Sequence, residues 1–229
     1  MALLLKNNTV FLHVPKTGGM WVTQLLYDCG LVKRRLMMRH TSIDGVLYHA
    51  YWGSGRKIIR ELMLRKIRKY VNNNYYPNED TFFFCFVRNP YSWYESWWCY
   101  MSGLGWNHWG NNRYKENWHP CVPLNGLGDD DFNKFIENVI RHAPGFLTNM
   151  YNYYTKTFCK WVGKQENIQK DTLNLLAKFD IDVNKEKVYE LNQINKSSRP
   201  LCKINWDANL KKEIYYLEYP IFKRFGYEF

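Results

Sequence analysis

Thr9-Val-Phe-Leu-His-Val-Pro-Lys-Thr-Gly-Gly-Met-Trp21 decides the fold of this chain. Thr9 to Val14 is a continuous apolar run that reads as a buried strand, and Pro15 stops it. Lys16-Thr17-Gly18-Gly19 follows. An apolar stripe at helical spacing comes next: Trp21, Val22, Leu25, Leu26 and Cys29. The pattern predicts strand, glycine turn, helix. Two glycines let a ligand approach the backbone without meeting a Cβ. The first N–H groups of a helix have no intrahelical partner, and the helix dipole favours an anion beside them. Lys16 adds a full positive charge. The expected guest is a phosphate or a phosphate-like group.

The order of residues departs from the common nucleotide-triphosphate loop. That loop is G-x-x-x-x-G-K-[ST], with the lysine after the glycines and a hydroxyl for Mg²⁺. Here Lys16 precedes Gly18 and Gly19, and Met20-Trp21 stands where a hydroxyl would be. Such a turn can hold a terminal anion against the lysine without a metal. A tight turn carrying a surface lysine is the alternative from this loop alone.

A second apolar run, Thr81-Phe-Phe-Phe-Cys-Phe-Val87, reads as a central strand of a parallel sheet, buried on both faces. It ends in Arg88-Asn89-Pro90. Asn89 suits a helix N-cap and Pro90 the first helical position, with Gly103 as the stop. Arg88 therefore falls at the carboxyl edge of the sheet, where open α/β sheets bind ligands. Ser96 lies about two helical turns further on. A guanidinium and a hydroxyl together make a phosphate clamp. The alternative is an Arg88 paired with a structural carboxylate and a Ser96 facing solvent.

With both motifs in view, the chain resembles sulfotransferases that use 3′-phosphoadenosine-5′-phosphosulfate (PAPS). The likeness is to the carbohydrate-type, Golgi-like branch, here without a membrane anchor. The residues that carry it are Pro15 to Gly19, then Val87 to Tyr91 with Ser96. Further on are Val162 to Ile168 with Asp171, Asn195 to Arg199, and Tyr216 to Tyr227. The resemblance implies a three-layer α/β/α fold with a mainly parallel central sheet and a P-loop-like strand-turn-helix. It implies that Lys16 and the backbone of Thr17, Gly18, Gly19, Met20 and Trp21 hold the 5′-phosphosulfate. Arg88 and Ser96 would hold the 3′-phosphate, and the loop with Lys196, Ser198 and Arg199 would close over the nucleotide. The family's Thr-Ser after the glycines is Met20-Trp21 here, and its arginine five residues after the first is Trp93.

Sulfuryl transfer needs in-line attack by an acceptor hydroxyl, stabilisation of charge on the leaving phosphate, and a base for the hydroxyl proton. Lys16 is the candidate for the leaving group, and no metal is required. Among the histidines, His40 is favoured as base, because His40-Thr-Ser-Ile-Asp-Gly is similar to a family segment; His49 is second. A packing or surface role is the alternative for either. His13, on a buried strand, reads as structural, and nothing in their context selects His108, His119 or His142.

The 229 residues fit a single domain, 1–229, with enough apolar content for a real core. Ten tryptophans are present; the Trp93, Trp97, Trp98 cluster suits either core packing or ring stacking on a ligand. A net charge of +11 implies an anionic partner. Its densest stretch falls on a helix expected over 57–71, which also reads as a solvated face. The six cysteines form no C-x-x-C pair and no zinc spacing. No signal peptide and no apolar span for a membrane is seen, so a soluble, cytoplasmic protein is expected. Residues 104–128 lack periodicity and are long for a connection, which suits a cover over the acceptor. Short strands are expected over Phe158–Val162 and Val188–Leu191, and helices over Asp129–His142 and Ala208–Leu217.

The leading expectation is a PAPS-dependent sulfotransferase acting on a hydroxyl-bearing acceptor, a carbohydrate, with no nucleic-acid partner. The alternatives are a metal-dependent, kinase-like nucleotide phosphotransferase and a non-enzymatic basic protein that binds anions or nucleic acid. The acceptor's identity and the oligomeric state are not encoded in any motif.

Overall fold

The computed structural model describes residues 2–36, 40, 81–106, 119–155, 159–191 and 204–229. Five strands form one sheet: β1 (Ala2–Leu5), β2 (Thr9–Leu12), β3 (Val32–Arg35), β4 (Phe82–Val87) and β5 (Cys159–Lys164). Their order is β3-β1-β2-β4-β5. β2, β4 and β5 run parallel, while β1 is antiparallel to both of its neighbours. The described residues also form eight helices: α1 (Gly19–Asp28), α2 (Pro90–Gly103), α3 (Phe132–His142), α4 (Phe146–Tyr154), α5 (Ile168–Lys178), α6 (Lys185–Glu190), α7 (Ala208–Leu217) and α8 (Tyr219–Phe225). The architecture is mixed α/β with a mostly parallel sheet.

Alternation along the strands divides the core. Leu4, Val10, Leu12, Phe83 and Cys85 join one apolar cluster with residues of α2, α3, α4, α7 and α8. Leu3, Leu5, Phe11, Phe84 and Phe86 join another with α1, α5 and α6. A pleated strand sends successive side chains to opposite faces, so a run such as Phe82 to Val87 must be apolar throughout to serve both clusters. Trp93, Trp97 and Trp98 are all buried in the first cluster, with Trp93 stacked on Trp97 at 5.6 Å and 9°.

The strand order places the site. From β2 the chain passes through α1 to β3, on one side of β2. From β4 it passes to β5, on the other side. Connections thus leave the adjacent parallel strands β2 and β4 in opposite directions, and their carboxyl ends flank a switch point. The register pairs Leu12 with Cys85, so Lys16 and Arg88 leave neighbouring strand ends.

The capping of α2 is as the sequence predicts: Asn89 Oδ1 accepts the Tyr91 N–H and Pro90 opens the helix. Asp131 caps α3, and its carboxylate accepts from Asn133 and Lys134. One expected strand is wrong: Val188–Leu191 falls largely in α6. Only Val188 of that segment is buried, beside α1 and α5, and a lone β-branched residue does not make a strand. β1 and β3 were not expected either. β1 is held by a tight turn in which Asn8, with φ 63°, donates its N–H to Leu5. The basic helix expected over 57–71 and most of the expected acceptor cover, 107–118, lie outside the described residues.

Candidate functional site

The glycine turn is built from both ends. Thr17 Oγ1 donates to the Val14 carbonyl at 3.1 Å, so this hydroxyl closes the turn. The Trp93 indole donates to the Pro15 carbonyl at 2.8 Å and fastens α2 to the turn. Lys16 (φ 61°) and Gly18 (φ 77°) are both left-handed. Left-handed residues alternating with ordinary ones draw successive amides toward one point, an anion-binding concavity. The amides of Thr17, Gly18, Gly19 and Met20 donate to no acceptor among the described residues. Trp21 differs from the expectation: its amide bonds the Gly18 carbonyl at 2.9 Å, and its indole donates to Leu191 O at 3.1 Å. Its side chain is buried between sheet and helices. Neither of its donors is available to a ligand.

Each glycine has its own reason. A Cβ on Gly18 would sit 2.5 Å from Ile168 Cδ1, besides requiring the left-handed backbone. A Cβ on Gly19 would sit 2.1 Å from the Cδ2 of His13. His13 thus lies directly beneath the helix start.

Arg88 enters from β4. Its guanidinium Nη1 donates to the Lys16 carbonyl at 3.4 Å, which joins the two basic turns. Its backbone is pinned twice by one hydroxyl: the Arg88 N–H donates to Tyr151 Oη at 2.9 Å, and that hydroxyl donates to the Arg88 carbonyl at 2.8 Å. The guanidinium is less constrained. Among the described residues, Nε is buried with no acceptor and no ion pair is made. Burial pushes the Arg88 pKa below its ordinary value, against the fields of Tyr151, Glu166 and Glu95. Lys16 Nζ lies 4.3 Å from the centre of the Tyr100 ring. Burial, and then the charge of Arg88, lower the Lys16 pKa to about 8. Two desolvated cations side by side cost free energy that a bound anion would recover. Ser96 is half-buried on α2, and its hydroxyl makes no hydrogen bond to the described residues.

Three histidines adjoin the turn. The His40 ring stands edge-on to His13 at 4.8 Å and to His119 at 5.0 Å. His40 Nδ1 is 3.0 Å from the His13 carbonyl. A carbonyl only accepts, so Nδ1 carries the proton and Nε2 is left as the basic nitrogen. Tyr154 Oη donates to the His40 carbonyl and holds the residue at φ 67°. Burial first, then His13 and His119, push the His40 pKa well below its ordinary value, so the ring is neutral. His119 Nδ1 accepts the Cys121 N–H at 3.1 Å, and burial lowers its pKa to about 4.

The described residues therefore bring Lys16, Thr17, Gly18, Gly19, Met20 and Arg88 together, with His40 packed on the His13 that lies under Gly19. His49, Lys196, Ser198 and Arg199 lie outside the described residues. Sequence reasoning passed over His119, Tyr100 and Tyr151. His119 follows a stretch without periodicity, and neither tyrosine stands in a motif, so no local signal selects them. Among the described residues, no group of three or more His, Cys, Asp or Glu side chains is placed to hold a metal. No described helix is long and apolar enough to cross a membrane. In comparisons with known proteins, no family model, no curated protein and no solved structure matches the chain.

Proposed function

We propose that this chain is a PAPS-dependent sulfotransferase that moves a sulfuryl group to an acceptor hydroxyl on a carbohydrate. The observation that carries the reading is the junction of the two basic turns. Arg88 Nη1 reaches the Lys16 carbonyl at 3.4 Å, and Arg88 Nε is buried without an acceptor among the described residues. One ligand with two anionic ends satisfies both turns. In finer detail, the proposal makes the fold a three-layer α/β/α sandwich with a P-loop-like turn, and the protein a soluble, cytoplasmic enzyme.

The residues fit such a donor. The amides from Thr17 to Met20 and the Lys16 ammonium would hold the phosphosulfate, and Arg88 with Ser96 the 3′-phosphate. The donor supplies the sulfuryl group and its phosphate leaving group. Lys16 stabilises negative charge as it grows on the leaving oxygen, which a cation in a water-poor site does well. His40, neutral with Nε2 unprotonated, would take the hydroxyl proton.

A transfer assay with sulfur-labelled PAPS and a panel of hydroxyl acceptors, run without Mg²⁺, tests this. The expected result is a labelled acceptor and protection against heat by adenosine 3′,5′-bisphosphate. Protection by ATP only with Mg²⁺ would instead mark a phosphotransferase. Protection by nucleic acid alone, lost steeply with salt, would mark a basic binding protein.

A further inference from the structure

Arg88 is a partly buried cation with two carboxylates in its field, Glu166 and Glu95, yet it pairs with neither. Each carboxylate is engaged by neutral donors. Glu95 Oε1 accepts the Trp206 indole N–H at 2.8 Å. Glu166 Oε1 accepts the Asn89 N–H at 2.7 Å, and Glu166 Oε2 accepts the Tyr227 hydroxyl at 3.2 Å. Asn89 is the residue next to Arg88, so Glu166 is held against the same strand end, near enough for its charge to act on the guanidinium. Burial, then the charge of Glu166, raise the Tyr227 pKa, so the phenol keeps the proton that it donates.

We propose that Tyr227 is a positioning residue: with the Asn89 N–H it occupies both oxygens of Glu166, keeps that carboxylate off Arg88, and so leaves the guanidinium open to the ligand's anion. The proposal rests on the reading that an anionic end of the ligand sits on Arg88. Glu166 is exposed and able to turn. Once the phenol hydroxyl is gone, its free oxygen competes with the ligand for the guanidinium. With its carboxylate exposed, such an ion pair is worth up to about 1 kcal/mol, which sets the competition at up to about fivefold in affinity.

The experiment is calorimetric titration of adenosine 3′,5′-bisphosphate, and separately of inorganic pyrophosphate, into wild type, Tyr227→Phe, Glu166→Gln and the double variant. Tyr227→Phe should bind up to about fivefold more weakly. The double variant should return to wild-type affinity, because a glutamine carries no charge to compete with. Glu166→Gln alone should bind at least as tightly as wild type. A merely structural Tyr227 predicts a loss that Glu166→Gln does not repair. That result, or an unchanged Tyr227→Phe, overturns the proposal while leaving the anion site standing. If pyrophosphate shows the pattern and the bisphosphate does not bind, the restraint holds and the nucleotide reading fails. If neither probe binds wild type, both are overturned.

Discussion

Gly19→Ala separates space from backbone freedom at the start of α1. Gly19 does not have a left-handed backbone, so alanine's conformational range is no obstacle. The obstacle is the His13 ring: an added Cβ lies 2.1 Å from Cδ2, 2.5 Å from Nε2 and 2.7 Å from Cγ. Real Cβ atoms do not approach a rigid ring so closely, so either the imidazole or the helix start must move. Overpacking of this kind costs about 1–3 kcal/mol, offset by at most about 1 kcal/mol of helix propensity at an end position. For a chain of this size about 2–4 °C in Tm accompanies each kcal/mol, so thermal unfolding should drop by up to roughly 12 °C. The same movement displaces the Thr17 to Met20 amides, so bisphosphate affinity should fall as well. His13→Ala removes the clashing ring, and the two changes should be strongly non-additive: the double variant should be little less stable than His13→Ala alone. A Gly19→Ala protein with wild-type Tm and affinity, or an additive double variant, refutes the reasoning.

Other perturbations reach the remaining groups. The Lys16 pKa of about 8 is below its ordinary 10.5, so between those values the unfolded chain binds more protons than the folded one. Lys16 should therefore contribute a gain in stability as pH goes from about 8 to about 10.5, read as the difference between the wild-type and Lys16→Met stability profiles; anion affinity should fall above about pH 8 in wild type and not in Lys16→Arg. His40→Ala should lower kcat by about a hundredfold or more with bisphosphate affinity kept, and the acid limb of the wild-type kcat profile should lie well below pH 6.5 because His40 is held neutral. Full activity in His40→Ala removes it from the chemistry. Glu218 is fully buried and accepts from Tyr94 Oη, the Leu147 and Thr148 amides and Thr148 Oγ1, at 2.6 to 3.0 Å. Glu218→Ala strands these donors and should cost about 3 kcal/mol or more, read as a Tm lower by roughly 6 °C or more.

The parts of the fold legible in the sequence were those whose residues announce a boundary. Pro15 and the paired glycines ended one strand and opened a helix. Asn89-Pro90 did the same after β4, because capping chemistry is local. β1 was missed because Ala2 to Leu5 is only four residues long and depends on pairing with β2 and β3 for its identity. α6 was misread because a single buried valine cannot distinguish a strand from a short helix. At the site, Lys16 and Arg88 were legible as charges at strand ends. His119, Tyr151 and Tyr227 were not, since their roles arise from contacts made across many residues of sequence. In the sequence Trp93 stands both where the family's arginine falls and in a tryptophan cluster; the structure gives its indole the task of holding Pro15.

The most direct test of the shared site is a titration of adenosine 3′,5′-bisphosphate, without Mg²⁺, into wild type, Lys16→Ala, Arg88→Ala and the double variant. If one molecule touches both turns, each single change weakens binding at least tenfold, about 1.4 kcal/mol, and wild type binds with one ligand per chain. Unaltered affinity in either single variant, or no binding to wild type, contradicts the account.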